Sequence, residues 1–200
     1  MKKNSKKLLI GVSGFARSGK DTFSSLIKDE FLKTGKNVKI FSFAFALKRD
    51  IDSFCLAKTG ISALTEDSAL KSIIRPILIS YGQIQRHLSN GRYWIEILKP
   101  EVDSFFEGGG DIAIISDLRF KEFNFDEYDF IRSFENNLIF NISRNLEDGS
   151  PVPAAHETEE KSSEFFIKNC DHSINWDTSP DRAYLELKIS RSIELMNSKL

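Results

Sequence analysis

Apolar positions along this chain switch between two spacings. Short apolar runs predict buried strands at 7–13, 38–44, 111–117, 138–143 and 173–176. Between them the apolar residues recur every third or fourth position. Phe23, Leu26, Ile27 and Phe31 share one face of a helix predicted over 21–33, which stops near Gly35. Leu70, Ile73, Ile74, Ile77, Leu78, Ile84 and Leu88 keep helical spacing over 65–88, and Pro76 is expected to kink or divide that segment. A further amphipathic stretch covers 93–106, interrupted by Pro100 and ended by Gly108-Gly109-Gly110. Short helices are predicted at 125–134 and 163–169, and a closing helix at 180–196. The polar stretch 145–160, with Pro151 and Pro153, reads as a lid-like loop. Buried strands alternating with helices predict an α/β fold: a parallel sheet of about five strands with helices on both faces. There is no internal repeat, and 1–200 reads as a single domain.

Composition narrows the class. At 200 residues the chain can bury roughly 70% of its unfolded surface, so no disulfide or metal staple is required. With 40% hydrophobic residues, 17 Phe and only 5 Pro, disordered and collagen-like classes are excluded. The net charge of −1 conceals a split: residues 1–100 hold 18 Lys/Arg against 8 Asp/Glu, and residues 101–200 hold 10 against 21. A neutral total argues against stable nucleic-acid binding but leaves room for a local anion site in the first half. Cys55, Cys170, His87, His156 and His172 are scattered without metal-ligand spacing, so no zinc site is expected. The lysine-rich start runs into a very short apolar stretch and then charged residues, which argues against a secretory leader. No apolar run reaches the roughly 20 residues of a membrane span, so a cytoplasmic protein is expected. The acidic group Asp126, Glu127 and Asp129 reads as a solvated helix face.

The most informative segment is Gly14-Phe15-Ala16-Arg17-Ser18-Gly19-Lys20, which fits G-x-x-x-x-G-K. Glycines there let backbone N–H groups turn inward and approach phosphate oxygens with no Cβ in the way. The following helix adds the positive end of its dipole, and Lys20 supplies a point charge for β- and γ-phosphates. The bare spacing is weakly specific. Its position after a buried strand and before an amphipathic helix is what the motif requires. The residue after Lys20, where Ser or Thr commonly holds Mg²⁺, is Asp21, followed by Thr22. Either can serve the metal on sequence grounds.

The run Ser13–Thr22 resembles the loop of phage-type deoxynucleoside monophosphate kinases, members of the P-loop nucleoside and nucleotide kinase superfamily. Further landmarks follow in that family's order. Phe43-Ala44 with Leu47-Lys48 resembles its F-A-D-P-L-K segment, although Phe45-Ala46 stands in place of Asp-Pro. Arg75, Gly82, Arg86 and Trp94 resemble its helical substrate region, and Asp117-Leu118-Arg119-Phe120 its D-x-R-F strand end. His156-Glu157-Thr158-Glu159 is similar to its H-E-S-E, and Asp171 to Asn175 to its last D-x-x-x-N strand. After Phe120 the chain reads Lys121-Glu122-Phe123, so the acid that usually follows this motif is displaced or absent.

The resemblance implies a P-loop NTPase fold with a helical acceptor-binding region at 45–106 and a lid at 145–160. It implies transfer of the γ-phosphoryl group of ATP, with Mg²⁺, to a nucleoside monophosphate, in particular a deoxynucleotide. The catalytic residues are then Lys20, Arg17, Asp117 and Arg119. Gly14, Ala16, Arg17, Ser18, Gly19, Lys20, Asp21, Thr22 and Arg144 would hold ATP, Arg144 as a lid arginine. Lys48, Arg75, Arg86, Arg92, Trp94, His156 and Glu157 would meet the acceptor, and Asp21, Thr22 and Asp117 the metal. Competing roles remain for several: an ion pair with the loop for Asp117, a structural pair for Arg119, and a core position for Trp94, with Phe45 as the other residue able to stack on a base. The family places the chain in the cytoplasm, of a host cell if phage-encoded, and leaves a homodimer open. The rival readings are a P-loop ATPase or GTPase switch and a nucleotide-binding module without a small-molecule acceptor. Neither an N-K-x-D segment nor a D-x-x-G after the 111–117 strand favours the switch.

Overall fold

A computed structural model describes residues 7–153, 157–177 and 181–200, apart from the side chains of 157–162 and 182. The apolar runs form five strands: β1 (Leu8–Ser13), β2 (Val38–Phe41), β3 (Ile112–Leu118), β4 (Asn137–Arg144) and β5 (His172–Trp176). All pair in parallel, in the order β2-β3-β1-β4-β5, so β1 lies at the centre between β3 and β4. Parallel strands need crossovers, supplied among the described residues by α1 (Lys20–Lys33), α2 (Phe43–Thr59), α3 (Ser68–Leu88), α4 (Tyr93–Glu107), α5 (Glu127–Arg132) and α6 (Glu157–Asn169), while α7 (Arg182–Asn197) follows the last strand.

The two faces of β1 feed separate cores, as the alternation of side chains along a strand requires. Leu8, Ile10 and Val12 pack with Phe23, Ile27 and Phe31 of α1 and with Ile189 and Met196 of α7. Leu9 faces the other layer, among Trp94, Leu98 and Val102 of α4, Phe130 and Ile131 of α5 and Phe166 of α6. A third, small cluster of Ile51, Cys55, Ala63 and Ile74 joins α2 to α3. The sheet and most of the helices therefore stand where the hydrophobic pattern predicts them, but the pattern does not show the 17-residue α2, and α6 starts at Glu157, ahead of the expected 163.

Three local expectations are corrected. The second strand ends at Phe41, not at 44, because Ser42 caps α2: its hydroxyl accepts from the Phe45 N–H and its backbone is extended. Both prolines sit inside unbroken helices, Pro76 in α3 and Pro100 in α4. Each lies on an exposed position, where water can serve the carbonyl left without its donor. The 145–160 stretch does not stay irregular to its end. Asn145 and Pro151 form an antiparallel bridge, the Leu146 N–H donates to the Ser150 carbonyl at 2.7 Å, and α6 already begins at Glu157. Among the described residues no helix is long and apolar enough to cross a membrane.

Candidate functional site

The loop between β1 and α1 carries the backbone conformations that its glycines allow. Gly14 has φ 137°, Arg17 φ 63° and Gly19 φ 92°. At Gly14 a Cβ would lie 2.1 Å from the Ile142 carbonyl oxygen and 2.8 Å from Ser18 Oγ. At Gly19 it would meet the Trp176 ring at 2.6 Å. No other side chain fits either place. Trp176, the last residue of β5, is buried, and its indole N–H donates to the Ser18 carbonyl at 2.8 Å. The contact spans 158 residues of sequence, so nothing local announced it.

Lys20 opens α1 and is 8% exposed. Its ammonium donates to the carbonyls of Gly14 at 2.7 Å and Phe15 at 2.5 Å, folding the side chain back over the loop. Ser18 Oγ is buried with no hydrogen-bond partner among the described residues. Asp21 and Thr22, the first turn of α1 after Lys20, are both exposed.

The strands beside β1 bring further cations to the same edge of the sheet. Ser13 pairs with Leu118 of β3 and Asn141 of β4, so Arg119 and Arg144 continue the two neighbouring strands beyond the level of the loop. The guanidiniums of Arg17 and Arg119 are exposed, and neither makes an ion pair or hydrogen bond with any described residue. Arg144 is half-buried, and its Nε is buried with no partner among the described residues. Ligands of open parallel sheets bind at the carboxyl ends of the strands, where these groups stand. Guanidiniums without a partner among the described residues, with the loop's N–H groups and the start of α1, are groups that could hold an anion.

Asp117 sits one residue before Leu118, and both its oxygens are engaged. Oδ2 accepts from Ser42 Oγ at 2.8 Å and the Ala44 N–H at 2.7 Å, while Oδ1 accepts from the Phe43 N–H at 2.9 Å. The carboxylate therefore caps α2 and anchors the helical region between β2 and β3. Among the described residues no group of three His, Cys, Asp or Glu side chains converges on a metal position.

Two residues expected at the acceptor lie instead in the packed interior. Arg86 is 4% exposed, and its guanidinium forms a two-pronged pair with Asp126, both bonds at 2.9 Å. It also donates to Glu122 at 3.1 Å and lies 3.6 Å from the centre of the Phe120 ring. No fork remains for a phosphate. Trp94 is 3% exposed, donates to the Gly82 carbonyl at 3.3 Å and packs edge-on against Tyr81 and Tyr93. Only Phe45 of the two stacking candidates is exposed, with the Arg49 guanidinium 5.5 Å above its ring. Arg75 is exposed on α3 and Lys48 is half-exposed on α2. Arg92 is exposed at the start of α4, on a surface depression shared with Asn90, Glu122, Phe123, Asn124 and Phe125. His156 lies outside the described residues, as does the side chain of Glu157.

The acidic group at 126–129 is not a solvated face. Asp126 and Glu127 are buried. Asp126 caps α5 and also accepts the Glu122 N–H at 2.9 Å. Burial by itself would lift its carboxyl, but the Arg86 bond and the N–H donors hold it below the usual range. Glu127 accepts the backbone N–H groups of Arg119 at 2.8 Å and Phe120 at 3.2 Å. Burial pushes its carboxyl up to about 8, against the pull of Arg86 and the Arg119 N–H. Only Asp129 keeps a surface role, pairing with Lys121 at 2.7 Å. The buried acids are satisfied by Arg86, 40 residues away, and periodicity in the sequence carries no sign of that partnership.

The five parallel strands, their order and the glycine loop between the central strand and α1 define a P-loop NTPase fold. No family model and no curated protein matches the chain. Among solved structures, the protein TT1252 of Thermus thermophilus superposes over 98% of this chain and 98% of its own, with a TM-score of 0.53 at 11% identity. The shikimate kinase of Bacteroides thetaiotaomicron covers 95% of this chain and 98% of its own (TM-score 0.47, 12% identity). A variant of the Mycobacterium tuberculosis APS kinase covers 96% and 98% (TM-score 0.44, 13% identity). At such identities the likeness bears on the fold alone.

Proposed function

We propose that the protein is a phosphotransferase that moves the γ-phosphoryl group of ATP to a small phosphorylated acceptor, a (deoxy)nucleoside monophosphate. The observation that carries this reading is the set of arginines without a partner among the described residues, Arg17, Arg119 and Arg144, around a P-loop over which Lys20 folds. Two anions must be brought together for such a transfer, and there is little covalent chemistry for the protein to do beyond alignment and charge stabilisation. The loop N–H groups, Ser18 Oγ and Lys20 would hold the donor phosphates, and Arg119 and Arg144 would spread positive charge over the moving group. The helical region α2–α4, anchored by Asp117, supplies Lys48, Arg75 and Arg92 as exposed cations for the acceptor. The choice of a deoxynucleotide rests on the resemblance of the motif series, and a homodimer stays a proposal on the same footing.

Mg²⁺ fits the residues present. It needs only one or two protein oxygens beside substrate phosphates and keeps several waters. The exposed carboxylate of Asp21 or the hydroxyl of Thr22 would hold it directly. Asp117, with both oxygens already accepting N–H or O–H bonds, would act through a water. The ion would neutralise charge between the β- and γ-phosphates.

A coupled assay of ADP release with Mg-ATP, run against each dNMP, NMP and nucleoside, tests this reading. Release should depend strongly on the acceptor and be greatest with a monophosphate. Equal release with and without acceptors would make the protein an ATPase.

A further inference from the structure

Glu127 is fully buried, yet no step proposed above uses it. It is the first residue of α5, and its Oε2 is shared by two backbone donors, Arg119 N–H at 2.8 Å and Phe120 N–H at 3.2 Å. Those are the two residues at which the chain leaves β3. Arg119 stands next to the loop because Leu118 is in register with Ser13. Its side chain, by contrast, is tethered to nothing among the described residues. The place of its guanidinium is set by the backbone alone, and Glu127 is the side chain that holds that backbone. The neighbouring Phe120 ring covers the guanidinium of Arg86, 3.6 Å from the ring centre, and Arg86 belongs to α3. One turn thus joins the P-loop edge to the helical region.

We propose that Glu127 is a positioning residue: by accepting the Arg119 and Phe120 N–H groups it fixes where Arg119 meets the transferring phosphoryl group, and through Phe120 and Arg86 it ties that position to α3. The inference rests on the phosphotransferase reading only for the role of Arg119.

The test is a cycle of Glu127→Met, Arg119→Ala and the double variant, with kcat and KM measured for ATP and acceptor. Met keeps the length and apolar bulk but accepts no N–H bond. Glu127→Met should lower kcat at least tenfold with KM for ATP within twofold. Adding Arg119→Ala should then lower it little further, because both changes remove one function. Glu127→Gln, which keeps an amide oxygen for the two donors, should restore most of kcat. Should Glu127→Met fail to fold, Glu127→Asp gives the same reading, since it draws the carboxylate back by one methylene. An unchanged kcat, no rescue by Gln, or losses that multiply in the double variant would overturn the proposal. If the wild type releases ADP without an acceptor, the phosphotransferase reading fails. The cycle run on that hydrolysis still decides on Glu127, with non-additive losses supporting it and multiplying losses refuting it.

Discussion

Replacing Arg86 by Met separates a ligand-binding arginine from a structural one. The side chain is interior, and its fork is committed to Asp126, itself 0% exposed, with Glu122 as a third contact. Removing one partner of a buried pair costs about 3–5 kcal/mol, because a charge is left behind without compensation. Asp126 would keep N–H bonds from Glu122, Phe123 and Glu127, which places the expected loss near the lower end, about 3 kcal/mol. For a chain of this length that is a fall in Tm of about 6–12 °C. The assay is urea and thermal unfolding followed by circular dichroism, for Arg86→Met, Asp126→Asn and the pair together. The two losses should overlap by at least about 1 kcal/mol in the double variant. A variant within about 0.5 kcal/mol of the wild type, with a raised KM for the acceptor, would refute the structural role and make Arg86 a phosphate ligand.

Three further outcomes follow from the site. Lys20→Ala should lower kcat by about 10²–10³, as loss of a preorganised donor to developing charge does, with an unchanged far-ultraviolet spectrum; near-normal turnover would place the chemistry elsewhere. Gly19→Ala sets a Cβ 2.6 Å from the Trp176 ring at φ 92°, so a loss of at least about 1–2 kcal/mol and weaker ATP binding are expected by thermal shift and titration. The carboxyl of Glu127, pushed up to about 8 from an ordinary 4.5, binds more protons folded than unfolded between those values. Its contribution is thus fully present below about pH 4.5 and is lost as pH rises through about 8, on the order of a few kcal/mol in all. Tm should accordingly fall more steeply between pH 5 and 8.5 in the wild type than in Glu127→Gln, and parallel curves would contradict this.

The sequence by itself determined the parallel α/β architecture and the place of the phosphate loop, because both follow from local rules. Buried strands show as unbroken apolar runs, helices as spaced ones, and the loop's glycines and Lys20 are neighbours in the chain. Arg17, Arg119 and Arg144, singled out from the sequence, have no ion pair or hydrogen bond among the described residues. Tertiary structure decided which polar residues are free. Arg86 and Arg92 look alike in sequence, but only the first finds Asp126 and Phe120 beside it and is consumed there. The acids at 126–129 have the composition of a solvated face, yet α5 turns two of them inward, where nearby N–H groups and a distant guanidinium repay their burial. Asp117 and Trp176 were likewise assigned their work by partners 73 and 158 residues away. Local spacing fixes what a segment can become, whereas the pairing of a charge or a donor depends on contacts that only the folded chain creates.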